Sequence, residues 1–314
     1  MLPGGIRPIN ARKMAPTQKR RWLKNLIALL LAPVLFYGWL RWFEQRTVFQ
    51  PASRLDATGD ELGFPREDVW LDTSDGGRIH GWFFPGRRGT NGPVFLLSHG
   101  NGGNISHRLD LYDALLRLEA AVFAFDYRGY GRSGGRPSEA AAYLDAEAAH
   151  EWLVSRGFPA SRVIGHGESL GGGVVAELAL RRELAGLVLQ SSYTSVPDLG
   201  AEIFPWLPVR TMGRIKFAVR DKLPKIHVPV LVLHSRQDTI IPHHHGRRNF
   251  EAANEPKLFG ELKGDHNDGL LVDRDAFMDS VGQFLALLEA RRKGVAAAKD
   301  EPPNAGHAEV NEAP

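Results

Sequence analysis

Between about residues 66 and 292 the chain keeps alternating between a short apolar run and a stretch of helical periodicity. The apolar runs are Val94–Ser98, Val122–Asp126, Arg162–Gly165, Leu187–Gln190, Val230–His234 and Lys257–Leu262. Helical patterns lie between most of them, at Leu109–Leu118, Ala140–Ser155 and Leu170–Arg182, and an amphipathic one closes the series at Asp275–Arg291. A strand that is apolar at every position is buried on both faces, and the intervening helices supply the cover. Two earlier strands, around Val69–Leu71 and Arg78–Phe84, flank Ser74-Asp75-Gly76-Gly77 and predict a hairpin. The expected class is therefore α/β: one domain over residues 45–292, with a mostly parallel sheet of about eight strands and helices on both faces.

One interval is too long for a simple crossover. Residues 196–227 separate Ser195 from the next strand and include Phe204-Pro205-Trp206-Leu207-Pro208. A segment of that length is usually functional, and a small cap over a cleft is the expected role. After Arg292 the chain is rich in Ala, Glu, Pro and Asn, so residues 293–314 are expected to form a disordered tail. There is no cysteine, which excludes disulfides, thiolate metal sites and a cysteine nucleophile.

The net charge of +3 is unevenly spread. Residues 1–43 hold eight basic side chains and no acidic one, leaving 31 basic against 36 acidic residues in the rest. A mildly acidic folded part gives no case for a nucleic-acid partner. The apolar run Leu26–Leu40, extended to Trp22 and Phe43, has membrane length, with Lys24 and Arg41 near its ends and Trp22, Trp39 and Trp42 at interfacial positions. No small-residue cleavage site follows it, so residues 22–43 are expected to be an uncleaved signal anchor behind a basic segment, 1–21. Lys19, Arg20 and Arg21 would keep the N-terminus cytoplasmic and put the folded domain on the far side, in the periplasm of a Gram-negative cell. Met14 is an alternative start that leaves the anchor intact.

Gly167-Glu168-Ser169-Leu170-Gly171 is a G-x-S-x-G pentapeptide lying directly between a strand and a helix. That setting predicts a nucleophile elbow, in which glycines admit a turn too tight for Cβ atoms and the serine hydroxyl projects at a helix N-terminus. Such a serine needs a base, and the base an orienting acid, each on a loop after a later strand. Asp238 follows Val230–His234 and His266 follows Lys257–Leu262, which makes Ser169, His266 and Asp238 the candidate catalytic triad. An oxyanion requires two N–H donors. Leu170, after the nucleophile, and Asn101, in Ser98-His99-Gly100-Asn101-Gly102-Gly103-Asn104 after the third strand, are the candidates.

Four motifs together resemble one family: His99-Gly100-Asn101-Gly102-Gly103-Asn104, Asp126-Tyr127-Arg128-Gly129-Tyr130-Gly131-Arg132-Ser133, Gly167-Glu168-Ser169-Leu170-Gly171-Gly172 and Gly264-Asp265-His266-Asn267-Asp268. They are similar to the membrane-anchored α/β-hydrolase domain-containing proteins 12, 13 and 17, their bacterial relatives and serine aminopeptidase-like hydrolases. The resemblance implies the α/β-hydrolase fold and serine hydrolysis of esters, thioesters or acyl lipids. The palmitoyl-protein thioesterases of that group carry a cysteine-rich N-terminus, which this chain lacks.

Other features carry plainer expectations. Gly129-x-Gly131-x-x-Gly134 formally matches a dinucleotide fingerprint but follows a middle strand, so a structural turn held by Asp126 and Arg128 is expected. His99 is expected to be a structural hydrogen-bonder. His243-His244-His245 reads as a solvated helix start, because adjacent helical histidines point in different directions. Asp265 and Asp268 are the alternative partners of His266. The expected protein is a membrane-anchored serine hydrolase of small-molecule or lipid acyl esters that needs no cofactor or metal. A peptidase with the same triad and a non-catalytic tethered binding module are its rivals.

Overall fold

A computed structural model of the protein describes residues 16–300. The chain divides into two compact units at Thr47–Val48. The first is the helix α1 (Pro16–Val48), which encloses the expected 22–43 segment and exceeds it at both ends. Within its Arg20–Val48 portion an 18-residue window reaches a mean hydropathy of 1.7, and that portion is long and apolar enough to cross a membrane. The helix continues through Pro33, and the folded unit begins at Val48, three residues later than expected.

The second unit is built on eight strands: β1 (Glu67–Asp72), β2 (Arg78–Phe84), β3 (Val94–Ser98), β4 (Ala121–Phe125), β5 (Val163–Glu168), β6 (Gly186–Gln190), β7 (Val230–Ser235) and β8 (Lys257–Leu262). Their order in the sheet is β1-β2-β4-β3-β5-β6-β7-β8. Only β2 runs against its neighbours, pairing antiparallel with both β1 and β4. The helices are α2 (Leu109–Arg117), α3 (Glu139–Ser155), α4 (Gly171–Arg181), α5 (Val196–Ile203), α6 (Val209–Met212), α7 (His244–Ala252), α8 (Gly269–Val272) and α9 (Arg274–Asp300).

The uninterrupted apolar strands divide between two cores. In β3, Val94 and Leu96 join one core with Ala142, Ala146 and Val174 of α3 and α4. Phe95 and Leu97 join the other, with Leu111 and Leu115 of α2 and Phe277 and Val281 of α9. Neighbouring residues on a strand point to opposite faces, so covering both faces requires both to be apolar.

Two boundaries differ from expectation for identifiable reasons. The strand β5 extends through His166-Gly167 to Glu168, because ladders on both sides, Ser98↔Gly167 from β3 and Glu168↔Gln190 from β6, sustain a glycine-rich stretch that lacks strand propensity. At the other end α9 runs to Asp300, so residues 293–300 are helical where a disordered tail was expected. Ala296, Ala297 and Ala298 are strong helix formers and extend a helix already nucleated. The rest of that tail, 301–314, and residues 1–15 of the basic segment lie outside the described residues.

Candidate active site

Ser169 sits between β5 and α4 with φ of +53°, a left-handed conformation that strains a residue with a side chain. What surrounds it shows why glycines flank it. A Cβ at Gly171 would run into the carbonyl of Ser98, and one at Gly167 into the backbone of Gly171. Neither obstacle is a movable side chain. Gly171→Ala is therefore expected to cost about 2–3 kcal/mol, or to displace the elbow, read as a lower unfolding midpoint with weaker active-site labelling.

The structure brings the three candidate residues together. His266 Nε2 lies 3.2 Å from Ser169 Oγ, and His266 Nδ1 lies 2.8 Å from Asp238 Oδ2. Asp238 is buried, and its other oxygen accepts the N–H groups of Ile240 (3.0 Å) and Ile241 (2.7 Å). Burial alone would raise its pKa. Hydrogen bonds from His234 and His266, together with the Ile241 N–H, prevail and hold the carboxyl well below the usual carboxylate range. Asp238 thus stays ionised wherever His266 would work. Asp265 plays a separate structural part. Its carboxylate accepts Thr239 N–H (2.7 Å), Thr239 Oγ1 and the His266 N–H, tying the histidine loop to the acid loop.

The two candidate oxyanion donors lie on the segments next to Ser169, one directly after it and one directly after Gly100. Gly100 is close enough to the elbow that its Cβ would stand 3.5 Å from Ser169 Cβ. Among the described residues, the N–H groups of Asn101 and Leu170 have no backbone acceptor. The loop is braced by contacts that the sequence alone did not reveal. Arg108 Nε donates to Glu168 (3.1 Å), and its Nη2 to the Gly102 carbonyl (3.2 Å), joining the residue before Ser169 to the oxyanion loop. Burial raises the Glu168 pKa, but Arg108 wins and keeps the carboxyl below its ordinary value. On the other side, Gln50–Pro51 pairs in parallel with Gly102–Gly103. The Asn101 carbonyl accepts from Gln50 N–H (3.0 Å) and Tyr130 Oη (2.8 Å). His99 lies beneath, packed on Tyr127 and Tyr130 and 2.7 Å from the Gly100 carbonyl.

The turn at Gly129–Gly134 is structural. Gly131 has φ of +50° and closes on Asp126, whose carboxylate accepts the N–H of Ile105 (2.9 Å).

Behind the elbow, His166 of β5 is buried between Phe95 and Phe277 and donates to Gln190 Oε1 (2.9 Å). Burial pushes its pKa down to about 4, against the Gln190 contact. The unfolded chain takes up this proton more readily, so the contribution is complete above about pH 6.5 and is lost as pH falls toward 4. The shift corresponds to about 3 kcal/mol. The stability difference between wild type and His166→Gln, from urea titrations across that window, is expected to shrink by about this amount on acidification.

Comparison with known proteins follows from this geometry. Residues 93–220 match the family described as the alpha/beta hydrolase fold. The alpha/beta hydrolase domain-containing protein WAV2 of Arabidopsis thaliana is 32% identical over 269 residues, 77% of this chain and 87% of its own. This chain belongs to the α/β-hydrolase domain-containing proteins. Lysophosphatidylserine lipase ABHD12 of Rattus norvegicus, another member of that family, is 33% identical over 195 residues, covering 55% of this chain and 48% of the lipase. The esterase Pf2001 of Pyrococcus furiosus shares the fold, with a TM-score of 0.64, 22% identity and coverage of 77% of this chain and 97% of that one.

In this hydrolase the interval after β6 holds α5, α6 and a short helical turn at Leu223–Lys225. It is fastened to α7 by the histidines expected to be solvated. His245 is fully buried, because α7 starts beneath α5 rather than in solvent, and its ring stacks on His244. Glu202 of α5 lies 3.0 Å from His244 Nε2 and 3.4 Å from His245 Nε2. These three side chains bring ligand-type atoms within 4.8 Å of one another. The Thr194 N–H, however, donates to His245 Nδ1 (3.1 Å). That fixes the His245 proton on Nε2, facing Glu202, so His245 offers no lone pair on that side and the three side chains tie α5 to α7.

Proposed function

We propose that the protein is a membrane-anchored serine hydrolase that cleaves carboxylic ester, thioester or acyl-lipid bonds. The observation that carries this reading is the single imidazole bridging a strained serine and a buried carboxylate, 3.2 Å from one and 2.8 Å from the other. His266 Nε2 takes the Ser169 hydroxyl proton as Oγ bonds to the acyl carbon, and the Asn101 and Leu170 N–H groups receive the oxyanion. Asp238 holds the imidazolium. The tetrahedral species collapses, His266 passes the proton to the departing alcohol or thiol, and an acyl-enzyme remains. A water deprotonated by His266 then releases the acid. Protein groups and water supply every atom and proton, so the proposed reaction calls for no cofactor.

The lipid side of the reading is supported by the apolar length of α1 and by the lipase among the relatives. The basic residues before α1 favour a cytoplasmic N-terminus and an extracytoplasmic hydrolase unit. The test is fluorophosphonate labelling of the purified full chain, followed by rates on acyl esters of graded chain length, thioesters and aminoacyl amides. Labelling with ester or thioester turnover is expected. Folded protein that does not label overturns the hydrolase mechanism and leaves a tethered binding module. Turnover of amides alone overturns the ester assignment in favour of a peptidase.

A further inference from the structure

The segment 203–220 contains Arg210, Arg214, Lys216 and Arg220 and no acidic residue. Its large apolar side chains do not all pack inward: Ile203 is 51% exposed and Trp206 is 70% exposed. Neither belongs to the described core. Similar exposure recurs on two neighbouring loops. Ile240 is 46% exposed, two residues past Asp238, and Leu271 and Val272, in the short helix after His266, are 63% and 57% exposed. These three loops follow β6, β7 and β8. The parallel strands end on one edge of the sheet, which is also where β5 delivers Ser169. The cations lie on the cap segment, while the histidine loop carries Asp265, Asp268 and Asp273 beside its exposed Leu271 and Val272. An apolar rim with a cationic cap at one side has the composition of a surface that settles cap-first into the headgroup region of an anionic bilayer.

A second observation says which bilayer. The hydrolase unit begins at Val48, and its first paired residues, Gln50–Pro51, lie against Gly102–Gly103 just beyond the end of β3. The chain therefore enters the unit at the same edge that carries Ser169 and the apolar rim. A tether at the opposite end of the strands would leave the rim facing away from its membrane. Charge fits as well. Arg210 and Arg220 share Asp198 at 3.4 and 3.9 Å, and Arg220 also meets the exposed Asp221 at 3.3 Å, but the two arginines keep 62% and 43% of their side chains exposed. Loose surface pairs of this kind yield readily to lipid phosphates.

We propose that the rim of the site, led by Trp206 of the cap and Val272 of the histidine loop, docks on the anionic leaflet of the membrane holding α1, so that acyl lipids reach Ser169 from the bilayer. The proposal rests on reading α1 as a membrane anchor and adds to it an orientation and a substrate source. Each cation near an anionic surface contributes about fivefold to the docked-to-free ratio. Arg210→Gln/Arg220→Gln is therefore expected to lower that ratio about 25-fold.

The natural absence of cysteine makes the test direct. Trp206→Cys, Val272→Cys and, at the far edge of the sheet, Ser161→Cys are each labelled with an environment-sensitive nitrobenzoxadiazole dye. The full chains are reconstituted in phosphatidylcholine vesicles with or without phosphatidylglycerol. Dyes at 206 and 272 are expected to brighten and to be quenched by acyl-brominated lipid, more so with phosphatidylglycerol, while the dye at 161 stays in water. The double arginine variant should reduce the phosphatidylglycerol dependence by about 25-fold, leaving the part owed to Arg214 and Lys216. If dyes at 206 and 272 remain in water on protein that floats with the vesicles, docking is overturned and the anchor stands. Protein that does not float overturns the anchor itself. Dye protection that persists in detergent and grows with protein concentration overturns membrane docking in favour of a second copy.

Discussion

Replacing Ser169 with Ala is expected to abolish fluorophosphonate labelling and to lower ester turnover by about 10⁵–10⁶-fold, and His266→Ala is expected to do nearly the same. The two losses should not add, because in the proposed mechanism the hydroxyl and the imidazole act in one proton transfer across the 3.2 Å contact. Asp238→Asn retains the shape but not the charge. It offers His266 Nδ1 an amide in place of a carboxylate, so the imidazolium loses its stabilisation and the tautomer is no longer enforced. A fall of about 10⁴-fold is expected, with the fold intact. Since hydrogen bonds from His234 and His266 keep Asp238 ionised well into acid, any acid limb of a wild-type rate profile is not expected to belong to Asp238. Steady-state rates on a soluble ester, with circular dichroism to verify folding, check all three. Turnover by Ser169→Ala within tenfold of wild type would remove Ser169 from the chemistry.

The second large effect concerns the frame rather than the chemistry. Arg128→Ala is expected to cost about 3–5 kcal/mol, a substantial part of the 5–15 kcal/mol typical of a whole domain. Arg128 Nε and its backbone N–H both donate to Asp145 of α3 (2.7 and 2.9 Å), Nη1 to Asp75 in the β1–β2 turn (2.7 Å) and Nη2 to the Ala141 carbonyl. Asp145 is fully buried, and burial pushes its pKa up to about 6 even with Arg128 in place. Without the guanidinium that carboxylate has lost its compensating charge. Its raised pKa means that Asp145 favours the fold below about pH 4 and loses that contribution as pH rises toward 6, opposite in sign to His166. The variant should accordingly recover stability on mild acidification. Arg128→Ala/Asp145→Asn should regain part of the loss at neutral pH, because the stranded charge is gone. Urea titrations at two pH values read both effects, and a loss under 1 kcal/mol for the single variant would refute the role assigned to this pair.

Much of this protein is legible in its amino-acid order. Eight strands, the hairpin, the elbow and the loops bearing Asp238 and His266 follow from local pattern, since burial on both faces of a parallel strand leaves a mark on every residue of the run. The errors fell where a distant partner overrules the local signal. Neighbouring strands carried β5 through glycines, and the buried seat of His245 depends on Glu202 and Thr194, 43 and 51 residues away in the chain. The span of α1 was recognised but not its ends, because the helix runs beyond the apolar run into the largely polar residues 16–21 and 44–47, which carry no hydrophobic signal.

The sequence by itself determined the fold class, the apolar N-terminal helix and the three residue types placed on successive loops. Each is written in nearest-neighbour chemistry: hydrophobic period, glycine spacing and side-chain identity. Only the tertiary structure decided that His266 faces Asp238 rather than Asp265, that Arg108 ties Glu168 to the oxyanion loop, and that the residues after α1 enter beside Asn101. These are hydrogen bonds between residues far apart in the chain. Their directions are set by how the loops pack against one another, which no local pattern records.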